Sequence, residues 1–144
     1  MIVFLDFDGV LHPFGDRHVR PFCDLPRFEA VMRHAPDASI VVTSSQREHQ
    51  TLAQLRASFA PDVATRVVGV TPALPLHSAT DLAGSRYREI LAYLAAKPGS
   101  GPWLAIDDDV TLYPAGLPEL LVCEGGFSAR EAVQLGRWLA GNRG

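Results

Sequence analysis

FLDFDGVLHP, residues 4–13, sets two carboxylates, Asp6 and Asp8, at the end of the most apolar run of the chain. Ile2–Leu5 is continuously hydrophobic, the pattern of a strand covered on both faces in a parallel sheet. A carboxylate in such a place must be paired, bound to a metal or neutralised. The stretch therefore predicts a buried first strand and, at its tip, either chemistry or a salt bridge.

Working outward, four more strands are predicted over 39–42 (SIVV), 66–70 (RVVGV), 103–106 (WLAI) and 120–123 (LLVC). Helical patterns over 25–34, 46–59, 86–96 and 129–140 alternate with them. Ser128 with Glu131 three positions later is a capping-box signature for the last of these. In the helix over 86–96, Tyr87, Ile90, Leu91 and Leu94 mark the expected buried stripe. This alternation predicts a three-layer α/β/α, Rossmann-like fold around a mostly parallel five-stranded sheet.

A chain of 144 residues, 47% hydrophobic and 20% charged, suits one domain over 1–144 with a real core. The net charge of -3 argues against strong nonspecific nucleic-acid binding, although basicity is concentrated in twelve arginines against the single Lys97. No apolar stretch is long enough for a signal h-region or a membrane span, so a cytoplasmic protein with no membrane partner is expected. Cys23 and Cys123 lack metal-site spacing and read as free thiols.

Ligands of open parallel sheets bind outside the carboxyl ends of the strands. There the sequence places Asp6, then Thr43 and Ser44, then Asp107, Asp108 and Asp109. Such a set fits either a phosphorylated receiver domain or phosphoryl transfer through an aspartyl nucleophile. Receivers have an acidic pair on the first strand and the acceptor Asp on a middle one. Here the spaced pair comes first and the adjacent acids come late, which favours the second reading.

LDFDGVL resembles motif one of the haloacid dehalogenase (HAD) superfamily, VVTSS its strand-end Thr/Ser motif and AIDDD its late acidic motif, in the right order over residues 3–109. The resemblance implies a phosphomonoester hydrolase acting through an aspartyl-phosphate, with Asp6 as nucleophile and Asp8 as acid and base. It also implies that the Asp8 backbone carbonyl faces the metal. Converging carboxylates need a counter-ion, and oxygen-only ligands suit Mg2+; Asp6 and Asp107 are the expected side-chain ligands, with Asp108 close behind and Asp109 a cap for the next turn. Gly9 allows a sharp bend and a close approach of backbone N–H groups to phosphate. Thr43 is the expected phosphate-binding hydroxyl and Ser44 the second; the alternative for both is an N-cap for the helix that begins near Gln46, the reading favoured for Ser45.

The superfamily also calls for a cation on the phosphate, usually Lys. Lys97 falls at the far end of its helix, away from the acids, and is rejected. Arg86 at the start of that helix is preferred, with Arg47 competing. His12 either contacts substrate or packs near the strand end. The segment 13–24, with Arg17, His18 and Arg20, reads as a small flap or a solvated loop.

Neither interval between motifs has room for a large cap domain, so an open site suited to a bulky or macromolecular phosphate is expected. The wording FDGVLHP, TSSQRE and DDD is similar to small HAD-type phosphatase domains associated with nucleic-acid end repair. Polynucleotide binding would need Arg17, Arg20, Arg27 and Arg33 to form a basic face. The expected partner is a phosphorylated substrate, either a small metabolite or a nucleic-acid end. A catalytically silent phosphate- or partner-binding module is the alternative, and a C-halide hydrolase comes third.

Overall fold

The computed structural model describes residues 1–13, 15 and 19–143. Five strands, β1 (Ile2–Leu5), β2 (Ser39–Val42), β3 (Val67–Val70), β4 (Trp103–Asp107) and β5 (Leu120–Val122), form one parallel sheet in the order β3-β2-β1-β4-β5. β1 lies at the centre and is buried along its length, as its unbroken apolar run requires.

Alternation along the strands divides the core. Val3 and Leu5, with Ile40 and Val42, face a cluster built from α1 (Leu25–Met32), α2 (Leu52–Arg56), α3 (Pro61–Ala64) and α5 (Ala129–Gly141). Ile2, Phe4, Val41 and Ala105 face the other way, against Ile90 of α4 (Ser85–Ala96), Leu112 and Tyr113. Helices thus cover both faces in a three-layer α/β/α arrangement, with no large cap among the described residues. α5 begins with the predicted capping box, in which the Ser128 N–H donates to Glu131 Oε1 at 2.8 Å.

Three expectations are corrected. The helix predicted over 46–59 is broken: a 3-10 turn over Ser45–Glu48 ends, Thr51 is extended at ψ 163°, and α2 restarts after it. Thr51 and Gln54 form a capping box there, a local bond set that outcompetes helix continuation. The strand predicted over 66–70 starts at Val67. Arg66 instead turns its guanidinium onto the carbonyls of Met32, Ala35 and Ala38, closing the end of the α1 segment. In α4 the buried residues are Glu89 and Ile90, whereas Leu91 is 43% exposed.

No helix among the described residues is long and apolar enough to cross a membrane. Both cysteines are free; Cys23 is exposed and Cys123 buried, with burial pushing its thiol pKa up.

Candidate active site

The register Val42↔Leu5↔Ile106, continued by Val42↔Val70, sets the next residue of each strand side by side at the carboxyl edge. The row is Thr71, Thr43, Asp6 and Asp107. Backbone bonds carry the ladder one step further: Asp6 N–H donates to Ile106 O at 3.1 Å, Thr43 N–H to Leu5 O at 2.9 Å and Thr71 N–H to Val42 O at 3.0 Å. By strand alternation all four side chains belong to the α4 face, where the first turn of α4 delivers Arg86.

Asp6, Asp107 and Asp108 each bring a carboxylate oxygen within 4.8 Å of the others. Asp6 is only 7% exposed. Burial, followed by the charge of Asp107, holds the Asp6 carboxyl well above the usual range. Burial likewise pushes Asp107 up to about 6, against the lowering effects of the Asp109 N–H and Arg86. Tyr113 OH and Asp109 N–H both donate to Asp107, at 3.0 and 3.1 Å, and fix its carboxylate. Among the described residues, Arg86 Nε, 3.9 Å from Asp107 Oδ2, is the cation paired with the cluster, and one guanidinium does not balance three acids. An all-oxygen donor set with excess negative charge fits a hard divalent cation such as Mg2+.

Gly9 wraps this cluster. Its φ is 82°, and a Cβ at that position would lie 2.1 Å from Asp108 Oδ2. Only glycine allows both the turn and the contact. Asp109 is turned out of the site and accepts from Thr111 N–H at 3.0 Å, as a cap.

Asp8 is not part of the carboxylate triad. Its Oδ1 lies 2.7 Å from His12 Nε2 and 3.4 Å from Gln46 Nε2. Its side chain is 22% exposed, the most open of the pair that begins the site.

Three buried polar side-chain atoms among the described residues have no hydrogen-bond partner: Thr43 Oγ1, Thr71 Oγ1 and Arg86 Nε. Leaving such an atom unpaired costs about 1–3 kcal/mol, so these atoms at the strand-end edge could serve a ligand. Two of the three, Thr43 and Arg86, are residues that the sequence pointed to. Ser44 is different. It caps the 3-10 turn by accepting from Gln46 N–H at 3.3 Å, the alternative role read for it in the sequence, while Ser45 lies within the turn.

Arg47 is held by the backbone and by Glu89. It donates to the carbonyls of Thr71, Thr43 and Ser44 at 3.1, 2.8 and 3.0 Å, and to Glu89 Oε2 at 2.6 Å. It builds the edge of the site, with four of its five N–H groups committed to these bonds, and it also lines the groove beside Arg86. Glu89 was not legible as a site residue. Its buried carboxylate accepts from Arg47, from Arg86 Nη1 at 3.2 Å and from Leu74 N–H at 3.0 Å, tying the loop before α4 to both arginines. The only available signal was the Arg86–Glu89 spacing of three. Thr71 had a better one, since it follows its strand as Thr43 follows β2.

Lys97 caps the far end of α4, near Gly99 and Trp103, at the opposite edge of the sheet. Arg17 and His18 lie outside the described residues. Of the arginines that a basic face would need, Arg33 pairs with Asp62 at 2.7 Å beyond α1, and Arg27 with Asp24 at 3.3 Å. Beside Arg86 a groove of about 190 Å³ opens between Leu74, Leu76, Leu82 and Glu89.

Residues 2–132 match a family described as the HAD domain in Swiss Army Knife RNA repair proteins. No curated protein and no solved structure matches the chain significantly.

Proposed function

The chain belongs to the HAD domains of Swiss Army Knife RNA repair proteins, and from that premise we propose that it is a Mg2+-dependent phosphomonoesterase for phosphorylated RNA ends, working through an aspartyl-phosphate. The observation that carries the reading is the convergence of Asp6, Asp107 and Asp108 within 4.8 Å, with Asp8 two residues from the nucleophile and turned to the open side.

Asp6, Asp107 and Asp108 would hold the cation, which supplies charge neutralisation for the phosphoryl group when bound. Thr43 Oγ1 and Arg86 Nε, both without a hydrogen-bond partner, donate to the phosphate oxygens. An Asp6 oxygen attacks phosphorus, the bond to the leaving oxygen breaks, and Asp8 transfers a proton to that oxygen. Water then attacks the phosphorus, its proton passes to Asp8, and the Asp6–phosphorus bond breaks to release inorganic phosphate. The uncapped edge and the groove beside Arg86 leave room for a polymer end.

The test is hydrolysis of p-nitrophenyl phosphate, of sugar phosphates and of 3′- or 5′-phosphorylated oligoribonucleotides, with Mg2+ and with chelator, beside Asp6→Asn and Asp8→Asn. Turnover that needs Mg2+ and both carboxylates, and favours the oligoribonucleotides over sugar phosphates, is the expected result. Equal background in every sample would refute catalysis and leave a phosphate-binding module. Preference for small phosphate esters would refute the RNA assignment alone.

A further inference from the structure

His12 stands outside every role assigned above, yet it is 2% exposed and within hydrogen-bond reach of Asp8. Its two ring nitrogens are distinguished by their neighbours. Phe22 N–H, which can only donate, points at Nδ1 from 3.0 Å. Nδ1 must therefore accept, and the ring proton of the neutral imidazole resides on Nε2. From there it is donated to Asp8 Oδ1 at 2.7 Å.

The surroundings hold the ring in that pose. The turn closes on itself through Gly9 N–H to His12 O at 2.9 Å. Phe22 meets the imidazole edge to face with centroids 5.4 Å apart and meets Phe7 at 5.6 Å. Phe22 is also the only non-glycine residue at positive φ, 59°, among the described residues. A bulky residue in that region is strained, and such strain is retained where the surrounding structure demands it. Here it accompanies the bond that selects the tautomer.

With His12 and Gln46 both directed at Oδ1, the remaining oxygen, Oδ2, has no such partner among the described residues. We propose that His12 is a positioning residue that occupies Asp8 Oδ1 and so makes Oδ2 the oxygen that exchanges the proton with the leaving group and with water. The inference rests on the phosphatase reading. In the first displacement the proton on Oδ2 goes to the leaving oxygen as its bond to phosphorus breaks. In the second, the attacking water returns a proton to Oδ2. His12 gives up no proton in either step; it fixes the carboxyl plane and leaves one lone-pair edge for the reaction.

The two conservative replacements separate this role from a purely structural one. Gln at position 12 keeps an N–H donor near the place of Nε2, whereas Asn keeps an acceptor near the place of Nδ1 and loses the donor to Asp8. Alkyl phosphates need a protonated leaving oxygen, and p-nitrophenyl phosphate does not. His12→Asn should lower kcat/KM for a phosphorylated oligoribonucleotide about ten-fold more than for p-nitrophenyl phosphate, through kcat, with His12→Gln recovering most of the loss. In the unsubstituted protein, nitrogen-detected NMR of His12 should show the proton on Nε2.

Equal losses in Asn and Gln variants, or equal losses on both esters, would overturn the inference while leaving the phosphatase reading standing. So would a proton found on Nδ1. A native protein that hydrolyses neither ester, indistinguishable from Asp6→Asn, would overturn both.

Discussion

Gly9→Ala tests the site through its backbone, because Gly99 supplies a control of the same conformation. Both glycines have φ 82°, so an alanine at either pays the left-handed penalty of about 1–2 kcal/mol. For a domain of this size that lowers Tm by roughly 3–6 °C. What differs is the neighbourhood. At Gly99 a Cβ meets nothing within 4 Å, whereas at Gly9 it would stand 2.1 Å from Asp108 Oδ2 and 2.9 Å from Asp108 Cβ.

Contact distances for nonbonded heavy atoms lie near 3.5–4.0 Å, so the Asp108 carboxylate must retreat by about 1 Å or more. A side-chain rotation accomplishes this at little expense to folding, but it takes an oxygen away from the cation. At a Mg2+ concentration of about 100 times the Kd of the unsubstituted protein, binding stabilises by about 2.7 kcal/mol. A ten-fold weaker site would lose about 1.4 kcal/mol of that, near 4 °C in Tm.

Thermal unfolding of both variants in chelator and in Mg2+ reads the difference. The chelated proteins should melt within a few degrees of each other, and only Gly9→Ala should show a shrunken Mg2+ response. Identical responses in the two variants would show that the contact with Asp108 has no part in metal binding.

Two further outcomes follow from the buried charges. In chelator, Asp6 and Asp107 titrate above the unfolded value of 3.8, Asp107 at about 6, so the folded state prefers their protonated forms. The stability this gives is complete below pH 4 and is lost as pH rises through about 6; Asp107→Asn should flatten that fall in a Tm-against-pH series, and an unchanged slope would contradict the assignment. Arg47→Ala removes one partner of a buried pair whose side chains are 4% and 8% exposed, and should destabilise by about 3–5 kcal/mol in denaturant titrations. A loss below about 1 kcal/mol would show that its carbonyl and Glu89 contacts are replaceable.

The sequence by itself determined the architecture and the members of the acidic cluster. Buried parallel strands must be continuously apolar, and residues 2–5, 40–42 and 103–106 show it, so their ends could be located and Asp6, Thr43 and Asp107 assigned to one edge. Asp109 as a cap was legible for a similar reason, since capping is a bond between near neighbours in the chain. Periodicity was less reliable where local bonds competed with it, as Thr51 did within the expected helix.

Only the tertiary structure decided how the polar groups share their partners. Arg47 and Arg86 are both arginines early in helical segments, yet one is held by three carbonyls and Glu89 while the other keeps Nε without a hydrogen-bond partner. Glu89 joins them across 42 residues, and Phe22 sets the His12 tautomer across ten. A hydrogen bond depends on direction and on sub-ångström distance, and neither is encoded in residue type or spacing until the packed chain brings donor and acceptor together.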